Sequence, residues 1–461
     1  MSRFRIPFVL SLLGLVVFAP FHAAGEAERP NIVLLFVDDL GWRHVSYQGE
    51  LFDTPNIDRL AAAGMRFSRA YAAAPACSPS RASVVTGQHP ARLRIVRHIP
   101  AGKAYGFDAA GRTDQEWHVL PTDPAQFPSR NWLPLDVTTF AEALKPLGYH
   151  SAFVGKWHLG HEPYHPIRQG FDEQHGVANA GHPGNYYPPY WPRPMNPYPD
   201  APDDKYLTDR LTDDAVAFLN RRRDAEQPFL LSLFFYNVHT PHRGRRDLVA
   251  KYERRGLKGN QAQLGAMVEA TDDAIGRVLR ALNENGQAER TMVVFFSDQG
   301  GFFLNEPLRG GKTGGTSLYE GGARVPLAVR WPGRVKAGSQ CDIPVLSTDL
   351  FPTFVEAAGG DPSSHRPLDG VSLMPLLTGK GRLDREAIFL YRHYEDRYAA
   401  VIAGDWKLVA SLAGNHELYN LKEDPAEEQD VAAKEPRKRA DLERLLADWK
   451  REVGVNPKPA K

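Results

Sequence analysis

The chain contains only two cysteines, Cys77 and Cys341, among its 461 residues, and its charges nearly cancel. The formal net charge of +1 gives no overall bias toward nucleic acid or an anionic membrane. Internal repeats and low-complexity tracts are also lacking, and the glycine-rich stretch at 309–322 does not have the GxxxxGK[ST] spacing of a nucleotide-binding loop. Any recognition of anions therefore has to be local.

Residues 6–21 form a short apolar run between Arg3 and Arg5 on one side and the small residues 23–25 on the other. This order is typical of a cleaved secretory signal, and the run is short for a membrane span. No cysteine follows it directly, which disfavours a lipoprotein anchor. We expect a signal peptide over 1–25, cleavage near residues 24–27, and a periplasmic or secreted protein without a stable membrane anchor.

The rest of the chain has the composition of an ordinary globular protein, with 42% hydrophobic and 24% charged residues. Its length suffices for one large domain and a smaller one. Glycine, proline and serine gather between about 359 and 369, which predicts a boundary there. We expect a large catalytic domain over 26–362 and a small C-terminal subdomain over 363–461.

Four apolar runs, at about 31–37, 150–154, 228–236 and 291–296, have the pattern of strands covered on both faces. Each run leads into polar residues, which are Asp38 and Asp39, then Lys156 and His158, then His239 and His242, then Asp298 and Gln299. Ligands bind at the carboxyl edge of open α/β sheets, and oxygen-rich sites suit Ca²⁺ or Mg²⁺. Taken singly, Asp38 and Asp39 are more simply a solvated acid pair and the histidines are more simply structural, so only the whole set indicates a ligand site.

Helical patterns lie between these strands, at about 56–63, 138–147, 207–220 and 264–285. The alternation predicts an α/β fold with a large mixed, mostly parallel sheet sandwiched by helices. Near the C-terminus, runs at 398–403, 406–409 and 416–421 predict a small antiparallel sheet, and a helix is expected over about 435–453.

Two long segments, about 98–134 and 161–206, interrupt this alternation. Long irregular segments in compact domains are often functional. The second segment is rich in tyrosine, tryptophan and proline. Its aromatic side chains either stack on sugar rings or hold the loop against the core, and the sequence favours neither interpretation.

Residues 77–87 read C-S-P-S-R-A-S-V-V-T-G and predict a short helix. Pro79 suits a first helical turn, and Gly87 can end the helix in a left-handed conformation. A helix N-terminus favours a thiolate, an alkoxide or a bound oxyanion, and Arg81 adds a cation one turn further on. Taken alone, Cys77 is more simply a small buried hydrophobic residue.

The whole string resembles the sulfatase signature C-x-P-S-R-x-S-x-x-T-G and matches it at every fixed position. The resemblance extends over nearly the whole mature chain. The other strings that follow the family order are Asp38-Asp39, Gly155 to Gly160, the strand end at His239, Asp298-Gln299, Lys312, Tyr319 to Gly322, Gly404 to Leu408 and Glu417 to Leu421. It implies an alkaline-phosphatase-like fold, with a large α/β domain and a small four-stranded antiparallel sheet with a helix.

The resemblance implies hydrolysis of sulfate esters on a sulfated glycan. A formylglycine-generating maturation enzyme would oxidise Cys77 to Cα-formylglycine, whose aldehyde hydrate is the family's nucleophile. One hydroxyl of the hydrate would attack sulfur, and the second would later expel sulfate and regenerate the aldehyde. A disulfide between Cys77 and Cys341 would consume this nucleophile, so we expect none.

The resemblance also assigns residues. The implied ligands of one Ca²⁺ are Asp38, Asp39, the modified Cys77, Asp298 and Gln299. The implied catalytic residues are Cys77, Arg81, Lys156, His158, His239 and Lys312, of which Lys156, His239 and Lys312 bind the sulfate. His239 or Lys312 would assist departure of the alcohol.

Two positions depart from the family pattern. Gln299 stands where an asparagine is more usual, so its carbonyl reaches a metal from one methylene farther, and the turn after Lys312 is slightly longer. Two other functions stay open, namely a phosphonate monoester or phosphodiester hydrolase with the same nucleophile, and a non-catalytic glycan-binding protein on the same scaffold.

Overall fold

The computed structural model describes residues 29–121, 123, 125–312, 316–393 and 396–455. The expected signal peptide with its cleavage site lies outside these residues, as do residues 313–315 of the turn after Lys312. Within the described ranges, no helix combines the length and the apolar character that a bilayer crossing requires.

The strands are described in chain order. They are β1 (Asn31–Val37), β2 (Met65–Tyr71), β3 (Trp117–His118), β4 (Ser129–Arg130), β5 (His150–Gly155), β6 (Glu173–His175), β7 (Phe229–Phe234), β8 (Thr291–Ser297), β9 (Arg324–Arg330), β10 (Ser339–Cys341), β11 (Val345–Leu346), β12 (Ile388–Tyr391), β13 (Arg397–Ala403), β14 (Trp406–Ser411) and β15 (Glu417–Asn420).

The α-helices alternate with these strands in the large domain and end the small one. They are α1 (Pro55–Ala62), α2 (Cys77–Thr86), α3 (Pro90–Leu93), α4 (Phe140–Leu144), α5 (Leu207–Arg221), α6 (Arg246–Arg254), α7 (Asn260–Glu284), α8 (Glu320–Ala323), α9 (Leu350–Ala357), α10 (Met374–Leu377) and α11 (Pro436–Glu452).

The large sheet has the order β10-β2-β9-β8-β1-β7-β5-β6, with β11 paired to β2. The four strands expected from the sequence form its centre and run parallel to one another. Strand β9 is antiparallel to both β8 and β2, so the sheet is mixed and mostly parallel, as expected. Strands β2 and β9 were not expected, because partly exposed polar residues interrupt β2 and charged residues stand at both ends of β9, which hides the apolar pattern.

Helices cover both faces of this sheet, which confirms the sandwich. Along β1, Val33, Leu35 and Val37 pack into the core beneath α5 and α7. The alternate residues, Ile32, Leu34 and Phe36, pack into a second core beneath α2, α4 and α9. Because every residue of β1 is buried on one side or the other, the strand reads as a continuous apolar run.

The observed helices differ from the predicted ones mainly at their ends. The run over 138–147 becomes the short helix α4, followed by a 3₁₀ turn over Lys145–Leu147. Helix α4 begins with a capping box in which Thr139 accepts from the backbone N–H of Glu142 and Glu142 accepts from that of Thr139. Pro146 has no N–H to continue the α-helical bonding.

The aromatic residues of segment 161–206 hold the loop against the core. Tyr186, Tyr190, Trp191 and Tyr206 are each at most 2% exposed. Their polar atoms bond to backbone carbonyls, as when the Tyr186 hydroxyl donates to the Tyr236 oxygen at 2.7 Å. Of the two interpretations that the sequence left open, packing against the core is therefore correct for these four side chains.

The small C-terminal sheet has the order β12-β13-β14-β15 and is antiparallel throughout. Helix α11 packs on it through Leu442, Leu446 and Trp449, so the expected small sheet with a helix is confirmed. Strand β12 was missed, because four residues are too short a run to distinguish from a loop.

A buried ionic cluster joins this small sheet to the large domain. The Lys407 ammonium lies 2.9 Å from carboxylate oxygens of both Glu320 and Glu427, and all three side chains are at most 1% exposed. Glu427 also accepts from the backbone N–H of Glu320, at the start of α8. Burial raises the pKa of Glu427 to about 7, although the Lys407 charge acts in the opposite direction.

We predict that Lys407→Met lowers the free energy of unfolding by about 3–5 kcal/mol, because it removes the cation that two buried carboxylates share and leaves Glu320 with only Arg324, 3.6 Å away. The loss should be smaller at pH 5 than at pH 8, since protonation neutralises the stranded carboxylates at the lower pH. Urea denaturation at the two pH values measures both effects.

The control is Arg444→Met, which removes an exposed helical pair with Asp441 and should change stability by less than about 0.5 kcal/mol. A Lys407→Met variant as stable as this control would contradict the structural importance of the cluster.

Candidate active site

The carboxyl ends of the central strands bring three carboxylates together. Asp38 and Asp39 follow β1, and Asp298 follows its neighbour β8. Oxygen atoms of the three side chains all lie within 4.8 Å of one another, and each residue is at most 1% exposed. Asp39 has a left-handed backbone with a φ of 59°, and its N–H donates to Asp298 at 2.9 Å.

Helix α2 begins at Cys77 beside these carboxylates, and it ends as expected at Gly87 with a φ of 67°. The Cys77 sulfur lies 3.5 Å from Asp38 and 3.3 Å from the Gln299 amide nitrogen. Burial, together with the Asp38 charge, raises the pKa of the Cys77 thiol to about 12. A thiolate was one of the anions that the helix N-terminus was expected to favour. The raised pKa means that a Cys77 thiolate is disfavoured at neutral pH. Both cysteines are buried free thiols.

Arg81 lies one turn along α2 and is completely buried. Its guanidinium donates to the Lys156 carbonyl at 2.7 Å and to Asp298 at 3.0 Å. The rings of Phe36 and Phe234 lie 5.3 and 5.6 Å from its central carbon. These contacts hold a permanent cation against the carboxylate cluster.

Two lysines complete the charge balance. The Lys156 ammonium forms an ion pair with Asp38, and the Lys312 ammonium lies 2.5 Å from Asp39 and 3.9 Å from the Cys77 sulfur. Three carboxylates and three cations sum to zero. A bound divalent cation would therefore make the site net positive, which suits an anionic substrate.

The two expected histidines also face this region. His158 has a left-handed backbone, with a φ of 56°, and its ring nitrogen lies 2.9 Å from the Ile99 carbonyl. His239 has its Nδ1 2.7 Å from the Thr240 carbonyl, and since a carbonyl only accepts, Nδ1 carries the proton. The other nitrogen, Nε2, is thereby directed into the site, 3.9 Å from Asp39. His242, by contrast, packs against Phe302 and Phe303.

A cavity of about 540 Å³ opens onto these groups. Its walls include the expected residues Cys77, His158, His239, Gln299 and Lys312. They also include residues that the sequence did not single out, which are His98, Tyr105, His182, Phe302 and Arg392. Of these, the His182 ring stacks on His239 with centroids 5.2 Å apart.

Only one of the missed residues carried a sequence signal. Arg392 directly follows the apolar run of β12, so it repeats the pattern of a strand with a polar residue at its carboxyl end. His98, Tyr105 and His182 lie in the two long irregular segments, where no periodicity indicates which side chains point inward.

The carboxylate cluster fits a hard divalent cation. Burial and the neighbouring Asp38 charge raise the pKa of Asp298, which shows how costly adjacent buried carboxylates are. Carboxylate and amide oxygens are ligands that Ca²⁺ and Mg²⁺ prefer. Gln299 now directs its amide nitrogen at Asp39, 2.7 Å away, and a half-turn of the amide would place its carbonyl oxygen there.

Comparison with known proteins agrees with this geometry. Residues 30–360 match the family model for sulfatases. The chain belongs to the sulfatase family. Residues 315–451 also match the model for the C-terminal part of N-sulphoglucosamine sulphohydrolase. This protein is accordingly an enzyme that hydrolyses sulfuric esters, and the family generally uses a formylglycine and a divalent metal.

Its relatives include enzymes with different named substrates. The sulfatase is 35% identical over 430 residues to N-acetylgalactosamine-6-sulfatase from dog (Canis lupus familiaris), covering 88% of this chain and 75% of the relative. It is 30% identical to human steryl-sulfatase, covering 85% and 76%. A solved structure of Ps i-CgsB in complex with k-i-k-neocarrahexaose is 29% identical, with a TM-score of 0.78 and coverage of 91% and 92%.

We predict that Gly181→Ala lowers kcat at least about tenfold with little change in stability, because the added Cβ would overlap the His158 ring. The measurement is the hydrolysis rate of 4-nitrophenyl sulfate beside a thermal unfolding curve. The matched control is Gly184→Ala on the same loop, where the nearest atom, the Tyr190 carbonyl oxygen, would lie 3.6 Å from the new Cβ. Equal rates in the two variants would show that the position of His158 does not matter.

Proposed function

We propose that this sulfatase removes sulfate from a sulfated glycan, using a Cα-formylglycine formed from Cys77 and one Ca²⁺. The observation that carries the proposal is the meeting of three elements at the carboxyl ends of the central strands, beside the cavity. These are the start of α2 with its complete sulfatase signature, the buried carboxylate cluster, and the cations that neutralise it.

The glycan substrate is supported by two of the relatives. One is named N-acetylgalactosamine-6-sulfatase, and Ps i-CgsB was solved with k-i-k-neocarrahexaose. The cavity, at about 540 Å³, has the size of a small-molecule site. Its mixture of histidines, cations and aromatic rings suits a sugar that carries charged groups.

We assign the calcium ligands to Asp38, Asp39, Asp298, Gln299 and the modified residue 77. When bound, Ca²⁺ would supply positive charge against the sulfate oxygens. The three carboxylates and the Gln299 amide offer the oxygen donors that Ca²⁺ prefers, and they outnumber the sulfur of Cys77 and the nitrogen of His239, which also lie near Asp38. Asp38 and Asp39 also hold Lys156 and Lys312 in place, so they would orient the sulfate-binding cations as well as the metal.

The protein's other residues would divide the chemistry among them. Arg81, fixed by the Lys156 carbonyl and Asp298, would hold residue 77. Lys156, His158, His239 and Lys312 would surround the sulfate and stabilise the charge on its oxygens. The leaving alcohol needs a proton. His239 or Lys312 would deliver it, since both line the cavity. Lys312 carries the proton on its ammonium, whereas His239 would have to be an imidazolium protonated at Nε2, because its Nδ1 proton is held by the Thr240 carbonyl.

The unmodified thiol is a poor nucleophile here, because its raised pKa keeps it protonated. A formylglycine hydrate at residue 77 would supply the attacking hydroxyl instead. The chain would then need a formylglycine-generating enzyme as a maturation partner. The residues at the N-terminus support export to the periplasm or the exterior by a cleaved signal.

We predict that Cys77→Ala reduces hydrolysis of 4-nitrophenyl sulfate by about a thousandfold or more while the unfolding temperature stays within a few degrees. Cys77→Ser should fail as well unless the host's maturation system accepts serine. Peptide mass spectrometry of wild-type protein should find an aldehyde at residue 77. The control is Cys341→Ala in β10, outside the cavity, which should retain activity. Substantial turnover by a variant with residue 77 shown to be unmodified would contradict the mechanism.

We predict that removing divalent cations with a chelator lowers the unfolding temperature and that Ca²⁺ restores it better than Mg²⁺ or Zn²⁺. A cation at a hundred times its dissociation constant stabilises a folded protein by about 2.7 kcal/mol. Asp39→Asn should abolish the response, whereas Asp441→Asn on the exposed face of α11 should keep it. Preferential stabilisation by Zn²⁺, or no response to any cation, would rule out the calcium site.

The substrate class is tested by a desulfation screen over defined sulfated oligosaccharides, with free sulfate as the readout. We expect release from at least one glycan and a much slower reaction with a phosphonate monoester. A strong preference for the phosphonate would favour a hydrolase of phosphorus esters that uses the same nucleophile.

A further inference from the structure

A second cleft, of about 430 Å³, is lined by residues other than those of the catalytic cavity. The polar side chains in its walls are those of Asn185, Tyr187, Arg243, Arg246 and Gln263. Arg246 begins helix α6, and Gln263 lies in the first turn of α7. No aspartate or glutamate is among the described residues that line this cleft. Its lining is therefore positively charged.

Two arginines supply this charge. Arg243 and Arg246 are exposed, and within the described ranges neither forms an ion pair or a side-chain hydrogen bond. The central carbon of the Arg246 guanidinium lies 4.1 Å from the centroid of the Tyr187 ring. Stacking of this kind holds the planar group in place and leaves the N–H donors at its edge available. The intervening Arg245 is instead paired with three carboxylates, those of Asp209, Asp247 and Asp273.

Two side-chain amides add hydrogen-bond donors to the cleft. The Asn185 oxygen accepts from the Tyr186 N–H at 2.8 Å, and the Gln263 oxygen accepts from the Gly244 N–H at 2.7 Å. A backbone N–H only donates, so these contacts fix which end of each amide is the oxygen. Neither amide nitrogen has a hydrogen-bond partner in the part of the chain that the structure describes. Cations and N–H donors that lack acceptors are the complement of an oxyanion.

The loops that form the cleft also form one wall of the catalytic cavity. His182 and His239 line the cavity, and Asn185 and Arg243 follow them within four residues in the wall of the cleft. Four residues of fully extended chain span at most about 14 Å. The Tyr186 hydroxyl also lies 2.8 Å from the His239 carbonyl oxygen, which holds the two loops together. The cleft is therefore close enough to the cavity for one oligosaccharide to contact both.

We propose that the cleft binds a sulfate group on a sugar unit away from the ester that is cleaved, so that the enzyme acts on a multiply sulfated oligosaccharide or polysaccharide. This inference rests on the proposed function, because it presumes that a glycan occupies the catalytic cavity. Sulfate suits the cleft better than a carboxylate does, since its three terminal oxygens point in different directions and can accept from several donors at once. The cleft volume of about 430 Å³ also leaves room for the sugar that carries the sulfate.

The test compares ligands of two lengths. Disaccharides and hexasaccharides from chondroitin sulfate and from heparin carry sulfate on their repeating units, whereas those from hyaluronan carry carboxylates only. Calorimetry measures their binding to Cys77→Ala, which cannot turn them over. We expect at least one sulfated hexasaccharide to bind about tenfold tighter or more than its disaccharide, because it can contact the cavity and the cleft together. The hyaluronan hexasaccharide should show no such gain over its disaccharide.

Variants of the cleft, made in the Cys77→Ala protein, should remove this length preference. Arg243→Met combined with Arg246→Met removes the charge. Gln263→Glu keeps an acceptor for the Gly244 N–H and replaces the amide donor with a negative oxygen. The control is Arg254→Met combined with Lys258→Met, which removes the same charge from exposed positions outside the cleft and should keep the preference.

A further measurement shows that the variants leave the catalytic site intact. With Cys77 present, the Arg243→Met and Arg246→Met double variant should hydrolyse 4-nitrophenyl sulfate within about twofold of the wild-type rate, because that ester is too small to reach the cleft.

The outcomes separate this inference from the proposed function. Retention of the length preference by the Arg243 and Arg246 double variant overturns the subsite. So does its loss in the control, since that indicates attraction by charge in general. Equal binding of both lengths by Cys77→Ala, or no binding of any hexasaccharide, also overturns it, and an equal gain with hyaluronan overturns the assignment to sulfate. Absence of sulfate release from glycans by the wild-type enzyme would instead refute the proposed function.

Discussion

Three buried carboxylates, with oxygen atoms within 4.8 Å of one another, are the constraint on which the rest of the site depends. Asp38, Asp39 and Asp298 repel one another, and their burial excludes the water that would otherwise screen them. Three neighbouring cations offset this electrostatic cost. Arg81 lies on α2, Lys156 directly follows β5, and Lys312 lies in the loop before α8. A bound divalent cation would make the site net positive and therefore attractive to a sulfate ester.

The small C-terminal domain contributes to this arrangement from two sides. Through Lys407 it neutralises Glu320, which begins α8 shortly after the loop that carries Lys312. Through the end of β12 it places Arg392 in the cavity wall. One contact stabilises the segment that follows Lys312, and the other places a side chain in the cavity wall. The small domain is therefore part of the functional unit as well as a packing partner of the large sheet.

Many elements of the fold could be predicted from the sequence, because the central strands are buried on both faces. The run from Asn31 to Val37 coincides with β1, since burial on both sides demands apolar residues at every position. The helix at Cys77 was predicted because Pro79 and Gly87 suit its two ends. The helix over 138–147 was predicted too long, because Pro146 and a 3₁₀ turn shorten it. Strands β2, β9 and β12 were not predicted, because polar residues interrupt β2, charged residues end β9, and β12 is short.

The sequence by itself determined the fold class, the sulfatase signature and the strand ends that carry the acids, because these are local patterns with strict physical requirements. Only the tertiary structure decided that Gln299 directs its amide toward Asp39, that His242 packs away from the cavity, and that His98, His182 and Arg392 enter it. Their positions depend on how long loops and a separate sheet pack against the large domain. Packing of this kind brings together residues hundreds of positions apart, so no local sequence pattern predicts it.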